Sequence, residues 1–460
     1  MRFHRRRDNI HVSSKEMPVT PARFWAISSR LSIAAACALL LASCGSDNGS
    51  GSLIEAAQSI GTIPRAALDA SSAAPLVGST AKCDVQVIGL NCLTRGVSGE
   101  ETNASGVLLL PTGSEAVCKQ PLPLLAYGRG TEVSKSRTLA SMTDGETGAL
   151  AAFFAGQGYA VVATDYLGYG KSNYAFHPYL HSDSEASATI DAIRAARNVA
   201  RERGQALSGK LMLYGYSQGG HASISTHKAI ESDAALVAEM GLVAAGHGAA
   251  PSALSTALQT VTPVLYGQIF ITFAVTAWQK VYGNVYSKPT DAFKAPYANG
   301  IDELLPSATT NFEGLIAQNK VSPDLGSGWV SAMFTDNFLN EFKNPNSGVI
   351  QAARKNDIVA SAWTPKAATM LCAGSGDPVV PYDSAQAIAA SKWKALANVS
   401  AVDVDPQTKV FAQQLWASRT AAQKLSYGNS IDIYTRFEYH GTLAPPFCFA
   451  AVKAMFDRLK

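Results

Sequence analysis

Lys210-Leu-Met-Leu-Tyr-Gly-Tyr-Ser-Gln-Gly219 joins an apolar, β-type run, Lys210–Tyr214, to a helical pattern that begins near Gly219. Between the two, Gly215-Tyr216-Ser217-Gln218-Gly219 has the spacing G-x-S-x-G, which occurs nowhere else in the chain. A strand-to-helix turn of this kind holds its serine in a strained backbone geometry, and the flanking glycines remove side chains that would clash there. The Ser217 hydroxyl is thereby carried to the carboxyl end of a sheet, beside a helix amino terminus that favours developing negative charge.

Around this turn, short apolar runs alternate with helical periodicity, as in a mostly parallel sheet covered on both faces. Strands are expected at Gly106–Pro111, Leu122–Tyr127, Tyr159–Thr164, Lys210–Tyr214, Gly241–Ala245, Thr369–Ala373 and Ile431–Phe437. Helices are expected at Thr147–Gln157, Ser184–Arg203, Gly219–Ser232, Tyr382–Leu396 and Pro445–Leu459, where apolar residues recur every three or four positions. The alternation lapses between 252 and 365, which reads as a helical insertion punctuated by prolines. Its most apolar part, Val264–Trp278, is too short to span a bilayer and reads as a buried core helix or a substrate-facing lid helix. A shorter surface excursion is expected at 398–425.

A serine hydroxyl is a poor nucleophile without a base, so the turn calls for a histidine held by a carboxylate. Asp377, in Gly374-Ser-Gly-Asp-Pro-Val-Val-Pro381, follows the expected strand Thr369–Ala373, and His440 follows the expected strand Ile431–Phe437. Asp403, Asp405 and Asp432 follow no expected strand end and are weaker candidates for the acid. Among the other histidines, His221 lies one helical turn past Ser217 and points along its helix, His227 lies deeper, and His247 could line the pocket. The main-chain N–H of Gln218 is one expected oxyanion donor, and Gly130 or Thr131, in Tyr127-Gly-Arg-Gly-Thr131, supplies a second. Gly170-Lys171-Ser172 imitates the end of a phosphate-binding loop, but Asp165 stands where that pattern needs its first glycine. No sequence pattern for zinc is present, and neither a metal nor an organic cofactor is expected.

The chain has 460 residues, 38 Lys and Arg against 35 Asp and Glu, and a net charge of +3, which gives no support to a nucleic-acid-binding protein. The excess is local: residues 1–43 hold seven basic and two acidic side chains, so the remainder carries −2. Basic residues, the apolar run Leu31–Leu41 and the small residues Ala42 and Ser43 have the layout of a signal peptide. Leu41-Ala-Ser-Cys44 resembles a bacterial lipobox, in which Cys44 becomes the lipid-bearing first residue and anchors the protein to the cell envelope. Met17 would give a leader of more usual length. Export to an oxidising compartment permits disulfides among Cys83, Cys92, Cys118, Cys372 and Cys448, of which one must stay unpaired within the chain. Cys372–Cys448 is the preferred pair, because both lie close to the acid and base candidates, although spacing alone does not fix connectivity.

Asp165-Tyr-Leu-Gly-Tyr-Gly170, His177-Pro-Tyr-Leu180, the helix Asp191–Arg197, the turn Gly215–Gly219 and Asp377-Pro-Val-Val-Pro381 together resemble the secretory lipase family of α/β-hydrolases, the Candida lipase A type and its bacterial relatives. The resemblance implies a Ser-Asp-His triad of Ser217, Asp377 and His440 that splits carboxylic esters through an acyl-enzyme, under a helical cap that matches 252–365. Bacterial relatives commonly carry His-Gly-Thr where this chain has Arg129-Gly130-Thr131, which places any side-chain role at 129 in question. The expected organisation is a leader at 1–43, a tether and disordered linker at 44–78, α/β core at 79–251 and 366–460, and the cap at 252–365. The alternatives are a serine peptidase of the same fold and an inactive surface-binding homologue.

Overall fold

The computed structural model describes residues 49–71, 73–260 and 264–460; the expected leader and Cys44 lie outside them. Nine strands form one sheet: β1 (Gln58–Ile63), β2 (Asp84–Arg95), β3 (Glu101–Thr112), β4 (Leu122–Gly128), β5 (Ala160–Thr164), β6 (Leu207–Tyr216), β7 (Leu242–Gly248), β8 (Ala368–Ala373) and β9 (Val399–Asp403). Their spatial order is β1-β2-β3-β5-β4-β6-β7-β8-β9. The first three strands and the β3–β5 pair run antiparallel, whereas β5, β4, β6, β7, β8 and β9 are parallel neighbours.

The central strands are continuous apolar runs because helices cover both of their faces. Every residue of β4 and β5 is buried. On one face Phe153, Phe154, Phe449, Val452 and Phe456 pack against Leu125, Tyr127, Val161 and Tyr214. On the other, Ile190, Ile193, Ala196 and Val199 of the Ser182–Glu202 helix pack against Leu124, Val162 and Leu213. Between β7 and β8 lie short helices and no named strand, and the longest helix there is Gly267–Tyr282.

Three expectations are corrected. Ile431–Phe437 is not a strand: Ile431–Glu438 is a helix, capped by the Ser430 side chain accepting from the Ile433 N–H. Its alternation I-D-I-Y-T-R-F imitates a strand, yet only Tyr434 is buried. The sheet instead ends on β9, inside the stretch expected as a surface excursion, so Asp403 does close a strand. Residues 58–77 are not linker, since β1 and two short helices occupy them and β1 pairs with β2.

The sheet is drawn tightly onto the turn after β6. A Cβ on Gly219 would stand 1.8 Å from the Gly128 carbonyl oxygen, and one on Gly215 would stand 2.0 Å from the Gly219 carbonyl oxygen. Gly219→Ala is therefore expected to lower stability by roughly 3 kcal/mol. Gly145→Ala, where a Cβ meets nothing within 4 Å, should stay within about 0.5 kcal/mol of the parent in the same chemical denaturation experiment.

Candidate active site

Ser217 sits at φ 61°, ψ −125°, a conformation that a non-glycine residue keeps only when its surroundings enforce it. Its N–H donates to the Gly248 carbonyl at 2.9 Å, and the Gln218–Ser232 helix starts immediately after it. The Ser217 Oγ lies 2.7 Å from His440 Nε2, and His440 Nδ1 lies 2.6 Å from Asp377 Oδ2. Three residues far apart in the chain thus form one continuous hydrogen-bonded line.

Each member is separately held. Asp377 Oδ1 accepts from the Val379 and Val380 N–H groups at 2.8 and 3.1 Å, which leaves Oδ2 for the imidazole. His440 lies in a turn of π-helix, Tyr439–Leu443, after a helix rather than a strand. Its neighbour Tyr439 donates its hydroxyl to Asp405 Oδ1 at 2.6 Å, and the ring fills the space above Gly374 and Gly376. Cys372, at the end of β8, is disulfide-bonded to Cys448 of the Pro445–Asp457 helix. A second disulfide joins Cys83 to Cys118, and Cys92 is free and buried.

The first residue of the Gln218–Ser232 helix has no intrahelical acceptor for its N–H, so Gln218 offers a donor beside the Ser217 hydroxyl. Of the two candidates for the second donor, Gly130 gives its N–H to Glu146 Oε1 at 2.9 Å, which also accepts from the Tyr127 hydroxyl. The other candidate, Thr131, has its Oγ1 2.8 Å from the Tyr179 hydroxyl and lines a cavity together with Ser217. Arg129 points away from this cavity and is fully buried, paired with Asp165 and Glu132 at 3.5 Å each. Asp165 also accepts from Ser105, Thr138 and the Leu139 N–H, so the Asp165-Tyr-Leu-Gly-Tyr-Gly170 stretch serves to hold the loop.

A network that the sequence did not reveal supports the turn from behind. Glu185, buried on the Ser182–Glu202 helix, accepts from Gln218 Nε2 at 2.9 Å through Oε1 and meets His221 Nδ1 at 2.6 Å through Oε2. His221 Nε2 donates to the Asn356 carbonyl at 2.9 Å. Burial opposes charge on His221, but the Glu185 charge and hydrogen bond outweigh it, and the pKa rises above 6.5. Gln218 Nε2 also lies 2.7 Å from His177 Nε2. Burial pushes the His177 pKa down to about 3, so this ring is neutral and accepts. His247 does not line the pocket; it is buried between Ser223 and His227.

The family model for secretory lipases matches residues 134–403, more than half of the chain. The chain belongs to the secretory lipase family. This secretory lipase is 32% identical to the rice cell wall degrading esterase LipA from Xanthomonas oryzae, with 89% of this chain and 100% of that one covered and a TM-score of 0.75. A putative hydrolase from Legionella pneumophila matches at 20% identity over 85% of this chain and 99% of that one, with a TM-score of 0.66. Candida antarctica lipase A in its closed state matches at 16% identity over 83% of each chain, with a TM-score of 0.55. The fold is that of the α/β-hydrolases, and the secretory lipase is a carboxylic ester hydrolase. No curated protein matches significantly.

Because the folded His221 pKa lies above its ordinary value, the pairing with Glu185 stabilises the fold fully below about pH 6.5 and loses that contribution as pH rises through the raised value. His221→Gln is expected to cost about 3 kcal/mol at pH 5.5. The gap to the parent should narrow at high pH, and urea denaturation of both proteins across pH 5.5 to 9 reads it.

Proposed function

We propose that this secretory lipase is exported and hydrolyses esters through an acyl-enzyme on Ser217. The observation that carries the reading is the unbroken line from Ser217 Oγ through His440 to Asp377, at 2.7 and 2.6 Å. His440 Nε2 takes the hydroxyl proton as Ser217 Oγ bonds to the ester carbonyl carbon. The same nitrogen then gives that proton to the departing alkoxide. Asp377 orients the ring and stabilises the imidazolium that forms between the two steps. Water repeats the sequence to free the acid. The N–H groups of Gln218 and Thr131 hold the oxyanion, and Glu146 sets the second of them by taking the Gly130 N–H.

The insertion at 252–365 is the cap over this centre: Leu254, Phe270 and Trp278 of its helices line the cavity that reaches Ser217. The basic, apolar and small-residue leader followed by Cys44 supports delivery to the cell envelope and attachment by lipid at that cysteine. No helix of the described residues is long and apolar enough to cross a membrane.

Ser217→Ala is expected to lower kcat on a soluble aryl ester by about 10⁴-fold or more and to abolish labelling by a fluorophosphonate probe. Undiminished labelling of the variant would remove Ser217 from the nucleophile's place. Cys44→Ala should move the protein from the membrane to the soluble fraction of a bacterial host; unchanged partitioning would defeat the anchor.

A further inference from the structure

Two cavities meet at Ser217. One is wide, about 1230 Å³, and is lined by Thr131, Glu146, Gln414, His440, Thr442 and Phe447 among others. The other is narrow, about 120 Å³, and is walled by Leu254, Leu258, Ile271, Ala274 and Trp278 of the cap and Val379 of the loop that bears Asp377. Ser217 lines both cavities, His440 only the wide one and Gln218 only the narrow one.

That asymmetry orients the substrate. The tetrahedral adduct on Ser217 carries the oxyanion, the acyl chain and the alkoxy group. The C–O bond to the alkoxy group can break only as that oxygen receives the proton held on His440 Nε2, so the alcohol must lie on the His440 side. With the alcohol in the cavity that His440 lines and the oxyanion on its N–H donors, the acyl chain is left with the narrow cavity, which Ser217 also lines. Size then divides the ester unequally. An apolar cavity of about 150 Å³ takes up a benzene ring, so the narrow cavity holds an alkyl group of roughly four to six carbons. The wide cavity exceeds the range of about 300–1000 Å³ typical of small-ligand pockets.

We propose that the substrates are short-acyl esters of large alcohols: the acyl chain, about four to six carbons, is measured by Leu258 and Trp278 in the cap, and the alcohol extends through the wide cavity. The inference rests on the assignment of Ser217 as nucleophile and His440 as its base. Leu258 and Trp278 are specificity residues that set chain length and take no part in proton transfer. In the acylation step the Ser217 Oγ–C bond forms, the C–O bond to the alcohol breaks, and the serine proton leaves with the alcohol by way of His440.

The test uses the purified full chain with two matched series. One varies the acyl chain of p-nitrophenyl esters from two to twelve carbons. The other varies the alcohol of butanoate esters from ethanol to dodecanol, which keeps the basicity of the alkoxide nearly constant. The kcat/KM of the first series should peak at four to six carbons and fall at least tenfold by ten, while the second should show no such fall. Leu258→Ala should move the acyl peak toward longer chains, and Ala257→Leu, in the same wall, should move it toward acetate, each leaving the profile of the alcohol series unchanged. Val410→Trp, in the wall of the wide cavity, should flatten or invert the alcohol series alone. Labelling by a small fluorophosphonate reports that each variant has kept its folded centre. An acyl optimum at ten carbons or beyond overturns the proposal, as does a response of the alcohol series to the 257 and 258 variants in place of the acyl series. If wild type neither hydrolyses any ester nor takes the probe at Ser217, the nucleophile assignment itself falls, and the partition falls with it.

Discussion

The backbone of Ser217 is held in a conformation that its own side chain disfavours, and the packing of three glycines against one another is what holds it. Gly128 closes β4, Gly215 and Gly219 flank the serine, and each would collide with the main chain of another if it carried a Cβ. Strands β4 and β6 can therefore run side by side to their ends, Gly128 opposite Gly215, while the chain reverses into a helix directly above them. Everything else at the centre is aimed at the hydroxyl this contact presents. The loop after β4 passes next to it because Gly128 is at the contact, and the Asp377 turn and the His440 segment approach from the far side of β7.

Two separate groups of buried charge flank the same turn. One is the Arg129, Glu132, Asp165, Arg137 and Glu146 cluster, which ties down the loop that carries Thr131. The other is the Glu185–His221 pair, which fixes Gln218 and reaches the cap segment through Asn356. A buried ion pair is a weak source of net stability, since desolvation cancels much of the attraction. What such pairs provide is geometry: each side chain has few positions that satisfy its partners, so the backbone it hangs from has few as well. The two groups lie under the two N–H groups proposed to hold the oxyanion, which is where positional freedom would cost most in the proposed chemistry.

How far these features were legible follows from how local their causes are. The central strands were readable because burial on both faces makes them apolar throughout, as at Leu122–Tyr127 and Lys210–Tyr214. Val399–Asp403 was not, since an edge strand with half-exposed residues carries no such run. Ile431–Glu438 misled because its residues alternate in polarity over one short stretch, and the cap at Ser430 was the discriminating signal. At the centre, the strand-turn-helix setting of Gly215–Gly219 and the turn at Asp377 were written in consecutive residues, and His440 followed by elimination among few histidines. The choice between Gly130 and Thr131 depended on where the Glu146 carboxylate would arrive from sixteen residues away, and the Glu185 network joins three remote segments. No spacing rule reaches that far.

The Cys372–Cys448 bond closes a span of 76 residues that contains both Asp377 and His440. Asp377 and His440 thus enter and leave the sheet through a single covalent gate, while the helices between them, from Asp405–Ser418 to Ile431–Glu438, run out over the surface. The relation between the two catalytic candidates is secured at the base of that intervening stretch and not along its course. The stretch is a detachable rim: Val410, Phe411 and Gln414 on it line the wide cavity, so that wall can be rebuilt while the hydrogen-bonded line beneath it stays in register.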